Sequence, residues 1–343
     1  MIKEIRYKNF KALRDTTLPL GRFTLIVGAN GTGKTTALRA LELAKEPKNN
    51  IWNDVISISE LKNERIEVSL LIRTTFGEEI IEWHLGNENN FVKDRKRKII
   101  LDDGESDRKE REQTSLRKQF LQNFKMFSFD ADKIAEPVLV KPDIELEENG
   151  RGLVGVLDQL RDSEPEKFEE LNRELSGWFY EFDRIVFETP KDGVKSFLLR
   201  TTFEKNKIKA KDLSDGTRLA LAYLTLAYLP NPPKIVAFEE PEKGIHPRLL
   251  RNIQEAMDRL AYPENFGEKR EPIQVIATTH SPYLLDLYKD RREEIVIADK
   301  DEKGVHFARL SEMPHIEEIL QEQDAPLGDV WFSGVLGGVP VQP

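Results

Sequence analysis

Cysteine is absent from all 343 residues. Its absence excludes disulfides, thiolate metal sites and a cysteine nucleophile, and it is compatible with a reducing cytoplasm. Long apolar runs are absent as well. No stretch approaches the ~18 residues that cross a bilayer, and the opening "MIKEIRYKNF" is too polar for a signal peptide. A soluble, cytoplasmic protein with no membrane partner is expected. Histidine is scarce, with five residues, and His84, His246, His306 and His315 show no metal-ligand spacing. Positive charge is in deficit: 52 Lys and Arg against 61 Asp and Glu leave a formal charge of −9. That balance argues against a general nucleic-acid coat and leaves room for a local basic patch. There is no internal repeat and no low-complexity segment.

What is present suffices for a core, at 39% hydrophobic over a length that suits one large α/β domain or one carrying an insertion. "IKEIRYKNFK" alternates like a strand, and "RFTLIVGAN" reads as a strand buried at its end. From Glu64 to Leu85 the alternation predicts antiparallel strands around Phe76-Gly77. The charge run that follows reads as a solvated surface, with a DNA-facing patch at Lys93 to Lys98 as the alternative. From Gly150 to Asp183 the chain turns helical. Ser163 and Glu166 have capping-box spacing, and Phe168, Leu171, Leu175, Phe179 and Phe182 recur at helical steps. Strands return at "DRIVFETP" and "KSFLLRTTFEK". Three expected parts result: 1–130 with the first half of the main domain, 131–190 as an inserted helical lobe, and 191–343 with the second half.

"GANGTGKT" fits G-x-x-x-x-G-K-[ST] with a strand before it and a helix after it. Its glycines let backbone N–H groups curl around phosphate oxygens while the helix N-terminus faces the same anion. Gly28, Ala29, Asn30, Gly31, Thr32, Gly33, Lys34, Thr35 and Thr36 form this candidate cradle. Lys34 is suited to the β and γ phosphates of ATP and Thr35 to Mg²⁺. A nucleotide site with Mg²⁺ needs a carboxylate at the end of a neighbouring strand. "KIVAFEEPE" offers Glu239 for the metal and Glu240 to orient and deprotonate an attacking water. His280 ends a third apolar run, "VIATTHS". It is either a structural histidine or a side chain pointing into the crevice at the strand ends, where open α/β sheets bind ligands. "LSDGT" places Ser214, Asp215 and Gly216 at the head of an almost wholly apolar helix.

Taken in order, "GANGTGKT", "LSDGT", "VAFEEPE" and "TTHS" resemble the ABC-type P-loop ATPases. The closest look is to the SMC-like and OLD (overcoming lysogenization defect) ATPases, supported by "IRYKNFKAL" and "EEPEKGIHP". The resemblance implies an α/β ABC-ATPase head with a mixed central sheet, an N-terminal antiparallel β subdomain and an inserted helical lobe. It also implies that Ser214 and Gly216 cap an ATP held by a second copy, so that ATP is part of a homodimer interface. Glu239 takes the metal position, Glu240 the general-base position and His280 the switch-histidine position. This chain departs from the pattern in carrying Glu rather than Asp at the metal position. It also has LSDGT in place of LSGGQ and no assignable Q-loop glutamine, Gln122 and Gln159 being the candidates.

"IVIADKDEKG" holds a D-x-D, Asp299 and Asp301, of the kind a TOPRIM nuclease uses. The residues after it are too few for such a domain, and a hairpin turn is expected there. A stand-alone ATPase gating a separate TOPRIM-like nuclease or toxin follows as the leading expectation, with DNA as a candidate partner. An ATP-clamped DNA-binding scaffold and a transporter subunit are the competing classes. The signature and the missing Q-loop glutamine disfavour the transporter.

Overall fold

The computed structural model describes residues 1–45, 66–74, 77–85, 92–94, 97–100, 123–139, 141–142, 144–323 and 325–339. The chain divides into two compact units. Unit 1 comprises Met1–Met126, Pro233–Glu239 and Ile273–Pro343, and unit 2 comprises Phe127–Pro232 and Glu240–Pro272. Gln122 and most of the charged run after Val92 lie outside the described residues.

Unit 1 begins with β1 (Ile2–Phe10), β2 (Leu13–Pro19) and β3 (Phe23–Val27), followed by the P-loop helix Lys34–Lys45. Next come β4 (Ile66–Thr74), β5 (Gly77–Leu85), β6 (Val92–Asp94), β7 (Arg97–Ile100) and β8 (Phe124–Phe127). β1 pairs antiparallel with both β2 and β4, and β4 pairs antiparallel with β5 from Ile66–Leu85 to Thr74–Gly77. This is the expected antiparallel N-terminal sheet. β2 is not legible in the sequence because its buried residues, Leu13, Thr16 and Leu18, neither alternate regularly nor are all apolar.

Unit 2 contributes β9 (Val138–Leu139), β10 (Phe182–Lys191), β11 (Val194–Thr201) and β12 (Lys207–Lys209), joined in a second antiparallel sheet. Unit 1 resumes with β13 (Ile235–Glu239), β14 (Gln274–Thr279), β15 (Ile295–Asp301) and β16 (Gly304–Arg309). These build a central sheet in the order β16-β15-β3-β14-β13-β8. β15, β3, β14 and β13 run parallel while β16 returns antiparallel, so the sheet is mixed. All five residues of β3 and all six of β14 are buried, as expected of parallel strands covered on both faces. Ile5, Phe10, Leu13, Ile26, Leu38, Leu41, Phe124, Ile276 and Val296 share one core. That core seats the N-terminal sheet and the P-loop helix on the central sheet, each full side-chain burial contributing roughly 1.5–3 kcal/mol. Tyr7, fully buried, donates its hydroxyl to the Ala37 carbonyl at 3.0 Å and fixes the helix to β1.

In unit 2, helices Leu153–Ser163 and Pro165–Trp178 form the expected helical lobe, with Phe168, Leu171 and Leu175 buried. The second helix stops short of Asp183: Phe179 is its extended C-cap and Phe182 already opens β10, both buried. The capping box at Ser163 is corrected. Ser163 ends the first helix and donates its hydroxyl back to the Gln159 carbonyl at 2.7 Å, while the second helix starts at Pro165 with Glu164 as an N-cap whose side chain makes no capping bond. Proline at the first helical position comes with its φ preset for the helix, so the second helix starts at Pro165 rather than at Ser163. The signature helix Asp215–Ala227 ends at Tyr228, whose hydroxyl donates to Glu174 Oε2 at 2.5 Å. Arg259, from helix Leu250–Ala261, donates to the same carboxylate oxygen at 2.9 Å and lies 4.1 Å from the centre of the Tyr228 ring. Three helices are thus tied at one partly buried point, and burial pushes the Tyr228 phenol well up from its ordinary value, with Glu174 adding to the shift. No helix among the described residues is long and apolar enough to cross a membrane.

Candidate nucleotide site

Strand register decides which residues meet in unit 1. Val27 at the end of β3 stands opposite Thr279 of β14 on one side and Ile297 of β15 on the other, and Glu239 stands opposite Thr278. β3, β14 and β13 therefore finish at nearly one level, while β15 runs on to Asp301. The turn after β3 is the P-loop, the residue after β14 is His280, and β13 ends in Glu239.

The loop's shape follows from close approach. A Cβ on Gly28 would lie 2.4 Å from the Ala298 carbonyl oxygen, so only glycine fits there. Gly33 has φ +80° at the entry to the helix, a conformation that side chains resist. Asn30 and Gly31 are exposed at the tip, while Thr32 is buried and donates its hydroxyl to the Ala29 carbonyl at 2.9 Å. Lys34 is 5% exposed. Its ammonium donates to the carbonyls of Gly28 at 2.7 Å and Ala29 at 2.8 Å, and lies 3.4 Å from His280 Nδ1. The lysine charge thus sits inside the loop with the imidazole beside it. His280 is aimed by the turn that follows β14: the Thr279 hydroxyl accepts from the Ser281 N–H at 2.9 Å, and the Ser281 hydroxyl caps the next helix through the Leu284 N–H. Thr36, half-buried, follows in the first turn of the P-loop helix.

Thr35 donates its hydroxyl to Glu239 Oε1 at 2.5 Å. The extra methylene of Glu over Asp therefore does not move the carboxylate away from the P-loop. The two side chains put hard oxygen donors at one point, which fits Mg²⁺. This ion takes one or two protein oxygens and completes its shell with phosphates and water. Among the described residues no group of three or more His, Cys, Asp or Glu is placed to hold a metal ion, so no competing metal cage is described.

Unit 2 holds the other sequence-derived residues. Ser214 is the N-cap of the signature helix, its hydroxyl accepting from the Thr217 N–H at 3.2 Å. Ser214 and Asp215 are exposed and Gly216 is half-buried. A Cβ on Gly216 would stand 3.2 Å from the Gly244 carbonyl, and one on Gly244, at φ +74°, would meet Leu219 at 2.8 Å. The "EKGI" loop after the acid pair therefore packs directly on the signature turn. Glu240 opens that loop at φ 47°, left-handed for a non-glycine residue, and its carbonyl accepts from the Lys243 N–H at 2.9 Å. Strained backbone of this kind concentrates at functional sites.

Arg218 escapes the sequence reading. Its side chain is buried and donates to Asp215 at 2.5 Å and to Asp132 at 3.1 Å, so it ties the signature turn to the helix Ala131–Ala135. Its spacing from Asp215 is an ordinary i, i+3 pair, and nothing local singles it out. Gln159 is engaged elsewhere, its amide donating to the Pro142 carbonyl at 2.5 Å. His246 serves as a local cap, Nδ1 accepting from the Arg248 N–H at 3.2 Å.

With this geometry in place, residues 23–286 match the family described as "AAA domain, putative AbiEii toxin, Type IV TA system". The chain belongs to that family. As an AAA-domain P-loop ATPase it is also similar to the OLD nuclease of Thermus scotoductus, at 25% identity over 89% of this chain and 63% of that protein. The chain thus spans less than two thirds of that relative's length. Among solved structures, the AAA-domain chain is similar to an Smc head bound to the C-terminal winged-helix domain of ScpA. The TM-score is 0.58 at 14% identity, covering 90% of this chain and 96% of that one. It is likewise similar to the SMC head domain from Thermotoga maritima, with TM-score 0.50 and 14% identity over 90% and 98% of the two chains. At such identities the likeness is one of fold: an α/β SMC-type ABC-ATPase head with a mixed central sheet.

Proposed function

We propose that this AAA domain binds and hydrolyses ATP with Mg²⁺, that two ATP molecules join two copies of the chain, and that the resulting dimer is a switch or sensor for a separate effector. The observation that supports this most is the 2.5 Å bond between Thr35 and Glu239 beside the buried Lys34. When bound, Mg²⁺ would neutralise phosphate charge and orient the β and γ oxygens. Thr35 and Glu239 would hold it. Lys34 supplies a fixed positive charge to the same phosphates, from a desolvated position where it acts more strongly than in water. Glu240 takes a proton from the attacking water. His280 binds the transferred phosphoryl group from the end of β14. Ser214 and Gly216 of a second copy cap the γ-phosphate with the free N–H groups and positive end of the signature helix.

The effector half of the proposal draws on words attached to relatives. The family description names a toxin, and the similar Thermus protein is named a nuclease. A TOPRIM-like nuclease or a toxin, acting in phage defence or DNA repair, is the partner class we infer.

The test is the mass in solution of the Glu240→Gln protein with and without Mg-ATP, with Ser214→Arg added in the same background. ATP-driven doubling of mass that the Ser214 change abolishes is the expected result. A mass indifferent to ATP in the Glu240→Gln protein would overturn the sandwich.

A further inference from the structure

The D-x-D of "IVIADKDEKG" is left unused by the nucleotide site, yet both acids are engaged. Asp301 closes the β15–β16 turn, its carboxylate accepting from the N–H groups of Lys303 at 2.7 Å and Gly304 at 3.0 Å, with His306 at 3.0 Å. Asp299 does something different. Its Oδ1 accepts from the N–H of Gly338 at 3.0 Å, 39 residues further on. The Gly338 carbonyl in turn accepts from the N–H of Ala29, in the P-loop, at 2.5 Å.

The peptide group between Gly28 and Ala29 is therefore held from both sides. Its N–H donates outward to Gly338, and its C=O accepts inward from the Lys34 ammonium at 2.7 Å. The two ends of a planar peptide point in opposite directions, so this group cannot rotate without breaking both bonds. The bonds also polarise each other through the shared amide. The fit around Gly338 is tight. At φ +69°, a Cβ there would stand 3.0 Å from the Ala298 carbonyl, 3.1 Å from Ile297 and 3.3 Å from the buried Trp331 indole nitrogen. Gly337, at φ +72°, leaves no more room, its Cβ position lying 3.0 Å from the other Asp299 oxygen. The positive φ and the close neighbours together favour glycine at both positions between Trp331, β15 and the P-loop.

We propose that Asp299 is a positioning residue of the nucleotide site, acting through the Gly337-Gly338 strap to fix the Gly28–Ala29 peptide and, through it, Lys34. The inference rests on the ATP-binding reading of the P-loop. The strap bonds the N–H end of this peptide, opposite the carbonyl that Lys34 uses, so it can orient the lysine without competing for its contact.

The experiment measures mant-ATP affinity and hydrogen exchange of the Ala29 amide in the full chain for wild type, Asp299→Ala, Asp299→Asn and Gly338→Ala. Asparagine keeps an oxygen for the Gly338 N–H and serves as the rescue. Asp299→Ala and Gly338→Ala are expected to bind roughly 10-fold more weakly, about 1.4 kcal/mol, and to exchange Ala29 faster, while Asp299→Asn stays within about twofold of wild type on the same scale. Wild-type affinity in both Asp299→Ala and Gly338→Ala overturns the inference and leaves the ATP reading intact. An Ala29 amide that exchanges in wild type as fast as the exposed Asn30 amide also overturns it, and this reading needs no variant to fold. A wild-type protein that does not bind mant-ATP removes the ATP reading and this inference together.

Discussion

The Thr35 hydroxyl donates to Glu239 Oε1 across 2.5 Å, joining two residues that stand 204 positions apart in the chain. The bond links the first turn of the P-loop helix to the tip of β13, with β14 between β13 and the strand that carries the loop. Glu239 crosses that distance with the reach of a glutamate, where the related ATPases usually carry the shorter aspartate. Shortening it should therefore cost function here. Glu239→Asp is expected to raise the Mg²⁺ concentration for half-maximal ATP hydrolysis by on the order of 10-fold, in the range typical when a metal ligand's support is disturbed. Glu239→Gln, which loses the charge, should not recover at any Mg²⁺ concentration. A Mg²⁺ titration of hydrolysis in which Glu239→Asp superimposes on wild type would remove Glu239 from the metal site.

Ser214 caps a helix whether or not it also meets a phosphate, and the two roles can be separated. Ser214→Ala removes the bond to the Thr217 N–H and should cost about 1 kcal/mol of stability, visible as a fall of about 1–2 °C in calorimetry for a chain of this size. Ser214→Asp keeps a good cap and adds a negative charge where the γ-phosphate of a second copy would sit. Unchanged melting together with lost ATP-driven association is the expected pair of results for Ser214→Asp. Association that survives the aspartate would leave Ser214 as a cap alone.

Unit 2 carries an acid-sensitive ion pair. Arg200 holds Asp183 through two bonds, at 2.8 and 3.1 Å, and Lys205 adds a third at 2.5 Å. The Arg200 guanidinium, followed by Lys205, brings the Asp183 carboxyl down from its ordinary 3.8 to about 2. A lowered folded value means stability that is fully present above the ordinary carboxylate range and lost as pH falls from 3.8 through about 2. Asp183 is partly solvated, so the contribution is discounted to roughly 1 kcal/mol. Asp183→Asn should therefore unfold earlier in urea than wild type at pH 7, with the gap closing as pH approaches 2. A gap that is the same at both ends of that range would show that the pair is not what Asp183 contributes.

The candidate site was legible in the sequence wherever its parts are contiguous. "GANGTGKT" specifies a turn in which Thr32 and Lys34 act on carbonyls no more than six residues away, while glycine at 28 answers a distant neighbour, the Ala298 carbonyl. The apolar runs before Glu239 and His280 specify buried strands with polar ends. The helix after Ser214 is capped as its first four residues suggest. Elsewhere local pattern misleads. Ser163 has capping-box spacing but lies at the end of a helix, because Pro165 starts the next one. β2 hides behind a buried threonine. Asp299 reads as a turn residue, since its partner Gly338 lies in a segment with no periodic signal.

What the sequence determined by itself is chemistry at short range: which residue types could face a phosphate, and where the P-loop helix and the signature helix begin. These follow from backbone sterics and hydrogen bonds that span a few residues. Only the tertiary structure decided that Thr35 meets Glu239, that His280 stands beside Lys34, and that Gly338 braces Ala29. The physical reason lies in the central sheet. β3, β13, β14 and β15 are mostly apolar over their buried lengths, Thr24, Gln274, Thr278 and Thr279 excepted, so most of their side chains carry no code for which strand lies next to which. Backbone hydrogen bonds join any such pair equally well. Their order is settled by the packing of the helices and the N-terminal sheet around them, and that order brings the strand ends together into a site.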